Sequence, residues 1–274
     1  TGVVKDDSAY KTTITVASGV ANLYYYCQNH SGMGAEIRTN TTHGSTNFDG
    51  SVLSVTNTNT TAGFSIVTYS GNTDASATIG HGLLSTPELI FIKQRDESGE
   101  WIGFNKISGA TKKLNLSQNL GEATSALFNN TAPTTTAPLV FSVKDTSTED
   151  TFGDGHTYVA YCFHSVEGYQ KIGSYIGNGD ADGAFVHTGF RPAWILYKNI
   201  DASGDWELLD TVRNPVNDGS LVKLEPNNFN DDSARVMDIL SNGFKFRNSS
   251  NSNTADTYLY WAFAEQPFKF ANAR

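Results

Sequence analysis

The chain repeats itself. TYSGN (68–72) returns as SYIGN (174–178), PELIFIKQRDESGEW (87–101) as PAWILYKNIDASGDW (192–206), and TYVAYCF (157–163) as TYLYWAF (257–263). In the middle block Pro87, Lys93, Asp96, Ser98, Gly99 and Trp101 match Pro192, Lys198, Asp201, Ser203, Gly204 and Trp206 at a constant offset of 105. Three blocks in the same order define a duplicated unit of about 100 residues, the size of one small β-sandwich. The expected organisation is an N-terminal unit (1–40), a Thr/Asn-rich linker or wrapping segment (41–62), repeat one (63–167), repeat two (168–267) and a tail (268–274).

Short β-branched and aromatic runs, separated by Gly, Asn and Asp, recur along the whole chain and predict an all-β fold. The S-G-x-W blocks read as hairpins whose second strand opens on Trp. The last strand of each repeat is almost wholly apolar, as expected of a central strand covered on both faces. One short helix is expected near Ser233–Leu240, where Val236, Ile239 and Leu240 share a helical face ahead of Gly243. Trp101 and Trp206 are large enough to stack on sugars, but their matched positions favour a shared core role.

Only 17% of the 274 residues are charged and the formal net charge is −9, so the polar surface comes from Ser, Thr, Asn and Gly. An acidic chain without a Lys/Arg stripe argues against a nucleic-acid partner. No apolar stretch approaches the ~20 residues needed to span a bilayer. The two cysteines, Cys27 and Cys162, make no disulfide framework.

Two loops carry metal-ligand chemistry. YYYCQNHSGMG (24–34) places Cys27, His30 and Met33 three residues apart, the thiolate, imidazole and thioether of a blue-copper set. Such a centre needs a second histidine, and residues 1–26 contain none. Either that ligand lies outside this chain or the loop has kept its form without its metal. NGDADG (178–183) begins like a calcium loop with Asn178, Asp180 and Asp182, yet Gly189 stands where an EF-hand places its glutamate. An Asx-turn is the competing explanation. His81, His156, His164 and His187 lack helical ligand spacing and read as hydrogen-bonded strand or loop residues. The adjacent pairs Glu149–Asp150 and Asp231–Asp232 would point to opposite faces of a strand and cannot converge on one bond. No nucleophile elbow, zincin motif or P-loop is present, so no catalytic residue and no required cofactor is expected.

Two resemblances sharpen these expectations. Residues 12–40, with strands TTITV and NLYYYC, the Cys-His-Met loop and a final strand around Ala35–Arg38, resemble the last third of a cupredoxin. The whole chain, from YYYCQNHSGMG through the Y-x-G-N, P-x-x-I-x-x-K, S-G-x-W and Y-x-A-Y-x-F blocks to FAEQPFKFANAR, resembles the C-terminal region of structural proteins of marine tailed bacteriophages. That resemblance implies an extracellular, non-enzymatic virion component such as a tail fibre that contributes to host adsorption. Its implied partners are other virion proteins, itself as a homo-trimer, and a host surface polysaccharide or receptor. Two alternatives stand beside it: a lectin-like module that reads surface glycans through the turn loops, and a truncated copper carrier.

Overall fold

Alternating apolar positions make the repeat blocks strands, and each strand finds its partner in the block that repeats with it. A computed structural model of the chain describes residues 2–6, 11–15, 23–26, 34–37, 44–146, 149–217, 221–228, 233–249 and 251–268. Two separate hairpins come first: β1 (Gly2–Asp6) with β2 (Lys11–Thr15), and β3 (Leu23–Tyr26) with β4 (Gly34–Ile37). No side chain of theirs that the structure describes belongs to the three apolar cores described below.

The Thr/Asn-rich segment does not act as a tether. Residues 44–59 form β5 (Ser45–Asn47) and β6 (Ser54–Asn59), which extend a sheet of the first sandwich. Alternation explains it: Ser54 and Thr56 turn inward on β6, and the Ser54 hydroxyl donates to the Gly80 carbonyl at 2.9 Å. A low-charge Thr/Ser/Asn sequence reads as linker from composition, yet it pairs well when an apolar strand lies beside it.

The first repeat contains β7 (Phe64–Ser70), β8 (Ser76–Gly80), β9 (Leu89–Gln94), β10 (Ile102–Asn105), β11 (Lys112–Asn115), β12 (Ala123–Thr124), β13 (Val140–Thr146), β14 (Glu149–Asp150) and β15 (Thr157–Phe163). One sheet runs β12-β11-β10-β9-β15-β7-β6-β5 and the other β14-β13-β8. The second repeat contains β16 (Gln170–Ile176), β17 (Phe185–His187), β18 (Pro192–Asn199), β19 (Glu207–Asp210), β20 (Leu221–Lys223), β21 (Ser233–Arg235), β22 (Met237–Leu240), β23 (Gly243–Phe246) and β24 (Thr257–Ala264). Its sheets run β16-β24-β18-β19 and β17-β23-β22, with β20 and β21 as a further hairpin.

The repeats share strand order and register. Tyr158 lies opposite Tyr69 and Gln94, as Tyr258 lies opposite Tyr175 and Asn199; Ile92 faces Ile102, as Tyr197 faces Glu207. Local bonds recur as well. The hydroxyls of Tyr69 and Tyr175 donate to Thr151 O (2.8 Å) and Ser252 O (2.9 Å). The Asp96 and Asp201 carboxylates accept the N–H groups of Thr157 (2.9 Å) and Thr257 (2.7 Å).

The expected helix near Ser233–Leu240 is replaced by β21 and β22. Met237 and Ile239 are the buried residues, a period of two, and a two-residue turn returns the chain so that Leu240 faces Gly243. The helical reading grouped Ile239 with Val236 and Leu240 and overlooked Met237. Among the described residues no helix is long and apolar enough to cross a membrane.

Candidate functional site

Both central strands, β15 and β24, are covered on two faces, one buried and the other largely half-buried. Tyr158, Ala160 and Cys162 face the first core, and Tyr258, Tyr260 and Ala262 face the second. The opposite faces meet in a third core between the sandwiches, containing Leu89, Phe91, Leu114, Phe163, Leu196, Trp206 and Leu259, with Trp101, Trp194 and Trp261 at its margin. Trp206 is only 1% exposed, its ring lies edge-on to Phe91, and its Nε1–H donates to the Asn115 carbonyl across the joint at 2.9 Å. The two matched tryptophans thus close the joint rather than the core of either sandwich.

The turn after β11 docks on the S-G-D-W turn of the second repeat. Gly204 N–H donates to Asn119 O (2.7 Å), Trp206 N–H to Asn227 Oδ1 (2.7 Å), and Asn227 Nδ2 to Asp205 Oδ1 (2.8 Å). Lys198, fully buried, sends its ammonium to Asn199 O at 2.8 Å and reaches Asn119 O at 3.5 Å. Burial pushes its pKa down to about 8, with Asp205 opposing the shift. Two clefts flank Gly204–Asp205. One, of about 500 Å³, lies between Ser117–Leu120 and the side chains of Asp205, Asn227 and Asn228. The other, of about 240 Å³, is bounded by Tyr197, Asn199, Ser203, Glu207, Ser252 and Tyr258.

Beneath the smaller cleft the second repeat carries charges where the first is apolar. Tyr197 and Glu207 replace the paired Ile92 and Ile102. Glu207 Oε2 accepts the hydroxyls of Tyr197 and Ser252, the latter at 3.0 Å, while Lys223 bridges Glu207 Oε1 (3.3 Å) and Glu225. All three ionic side chains are less than 10% exposed. A buried cluster of this kind survives only when every member is paired, as these are. The sequence signal was the departure from the repeat at Glu207; Asn115, Asn119, Asn227 and Glu225 carried no signal, because their partners are remote in the chain.

The sequence-predicted sites fall elsewhere. Cys27, His30 and Met33 lie outside the described residues, as do Asp231 and Asp232. In the 178–183 loop, Asn178 Oδ1 accepts Asp180 N–H (3.1 Å) and Asn253 Nδ2 (2.8 Å), and Asp180 Oδ1 accepts Asp182 N–H (2.8 Å). Asp182 pairs with Lys245 (2.9 Å), whose ammonium holds the carboxyl below its ordinary pKa. These oxygens serve Asx-turns and an ion pair. Among the described residues no three His, Cys, Asp or Glu side chains converge to hold a metal ion. His156 lies 3.5 Å from Asp96, and His164 Nδ1 lies 2.9 Å from Ser165 O.

The molecule is thus an all-β protein of tandem sandwiches locked through an apolar joint, with polar clefts beside that joint. It belongs to the family described as a domain of unknown function, DUF7483, whose model matches residues 31–267. The match runs through both sandwiches and the β5–β6 strands. No curated protein and no solved structure matches the chain.

Proposed function

We propose that this protein is a non-enzymatic structural component of a tailed-bacteriophage virion, a tail fibre or other exposed appendage that contributes to host adsorption. The observation that carries this reading is the joint. A third apolar core turns two sandwiches into one stiff body, which suits a part that transmits load outside a cell without chaperones or repair. The motif resemblance to phage structural proteins points the same way. Mass spectrometry and labelled-antibody microscopy of purified particles from a phage encoding this chain should find it at an exposed position. Particles that lack it would overturn the reading.

The clefts favour a second reading, within the same role: a neutral, polyhydroxylated ligand such as host surface polysaccharide. Their walls present amides, hydroxyls and the carboxylates of Asp205 and Glu207, the groups that exchange hydrogen bonds with sugars. Asn119→Ala and Asn228→Ala should each reduce binding on a bacterial glycan array while the fold persists. Unchanged binding by both would remove the clefts from the adsorption surface.

A further inference from the structure

The two sandwiches differ at one edge. In the first, β6 pairs with β7 over six residues, and Gly50 and Val52 bridge to Ile79 on β8. Ser51 and Val52 donate their N–H groups to Thr78 O at 2.9 and 3.3 Å, and Val52 packs on the first core. Residues 44–59 therefore close both sheets along one side.

Among the described residues the second sandwich has no such closure. Register matches β16 to β7 and β17 to β8: Ile79 lies opposite Phe141, and Val186 opposite Phe244. The six residues between β15 and β16 are too few to supply two capping strands. On β16, Gln170 exchanges hydrogen bonds with Val166, and the Ile172 N–H donates to Ser165 Oγ at 3.0 Å. The even-numbered residues thus aim their backbone groups outward, and Ser174 and Ile176 come next. No described strand continues the sheet beyond them. Ile176 is 70% exposed, and Phe185, which stands where Thr78 is covered in the first sandwich, is 46% exposed. An uncapped edge with exposed apolar side chains is a template for strand addition.

The same chain carries a small sheet of its own. Among the described residues the β3–β4 hairpin makes its strand pairs only within itself, four residues to a strand, the length of the open segment Gly173–Ile176. Tyr24 and Tyr26, on one face of β3, are 76% and 83% exposed. A lone two-stranded hairpin is marginal in water and gains stability from a third strand.

We propose that the open edge formed by β16 and β17 is an intermolecular docking site, and that its occupant is the β3–β4 hairpin of a second copy of this chain. The hairpin adds the outer edge of β3 antiparallel to Gly173–Ile176 and lays Tyr24 and Tyr26 over Ile176 and Phe185. The two surfaces differ, so the contact is head-to-tail and builds either a closed ring or a filament. The inference does not depend on the virion reading.

Light scattering on the full chain tests it. The wild-type chain should assemble beyond its 29.7 kDa monomer mass. Ser174→Pro, which blocks strand addition without removing an intrachain bond, should be monomeric, and so should Tyr24→Ser/Tyr26→Ser. Ile176→Lys, at an exposed site, gives a second block of the edge should Pro disturb the strand. Each variant alone lacks one half of the contact. Mixing the edge-blocked chain with the tyrosine variant should restore a 1:1 complex of about twice the chain mass. A monomeric wild type, or assembly that survives Ser174→Pro and Ile176→Lys, overturns the site. Assembly lost in those variants but kept in the tyrosine variant, or a mixture that stays monomeric, overturns the hairpin as occupant.

Discussion

His81 lies wholly inside the first sandwich. Its Nδ1 accepts the Leu83 N–H at 3.1 Å, and its buried Nε2 meets no hydrogen-bond partner among the described residues. Burial, reinforced by nearby His164, lowers its pKa from 6.5 to about 4. Between those values the unfolded chain binds a proton that the folded chain refuses. Stability is therefore full above pH 6.5 and falls as the pH drops toward about 4, by about 3 kcal/mol in all. His81→Asn should flatten that slope in urea titrations run across the range; an equally steep slope would show that other groups set it. Cys162 is the complementary case. Its burial pushes the thiol pKa up to about 12, so the reactive thiolate is scarce at neutral pH. Mapped alkylation should modify Cys162 in urea and spare it in the native protein, and rapid native labelling would contradict its place in the core.

At the level of elements, the Y-x-G-N blocks show why a motif repeats. A Cβ on Gly71 would sit 1.8 Å from the Gly153 carbonyl oxygen, and one on Gly177 would sit 1.9 Å from that of Thr254. In both sandwiches another segment crosses hard against the strand exit, and only glycine leaves room. Gly71→Ala and Gly177→Ala should each cost about 1–3 kcal/mol in thermal or denaturant melts, the usual toll of overpacking. Gly99→Ala, whose new atom meets nothing within 3.8 Å, is the control and should change little. Such motifs were legible because both copies carry the same constraint. The misreadings share a physical cause. Composition made residues 41–62 a linker or wrapping segment because the neighbour that makes Ser54–Asn59 a strand, β7, is invisible to a composition count. A helical spacing of three apolar residues hid the period-two pair Met237 and Ile239. The polar joint was illegible for a further reason: Asn115 with Trp206, or Asn119 with Gly204, are contacts between repeats that no local period encodes.

On the scale of the whole molecule, Trp206 holds the sandwiches together. Trp206→Ala removes a 1%-exposed side chain and its bond to Asn115, and should destabilise by about 3–5 kcal/mol. Calorimetry should show one cooperative transition for the wild-type chain and two separated transitions for the variant, because the lost contacts are those that couple the units. A loss below about 1 kcal/mol would mean that the joint does not depend on it. Shared register has a consequence for how the chain reaches this state. β15 and β24 are backbone-equivalent, so each could be threaded into the other's slot during folding, the characteristic error of tandem repeats. The middle row of each sheet opposes that exchange. In the first sandwich the row is Val67, Ala160 and Ile92; in the second it is Gly173, Tyr260 and Tyr197. The Tyr260 ring passes so close to Gly173 that a Cβ there would lie 2.7 Å from its hydroxyl oxygen. Tyr260 in the first slot would strike Val67, and Ala160 in the second would leave a void beside Gly173. The two copies have diverged into different locks, and each strand fits one of them.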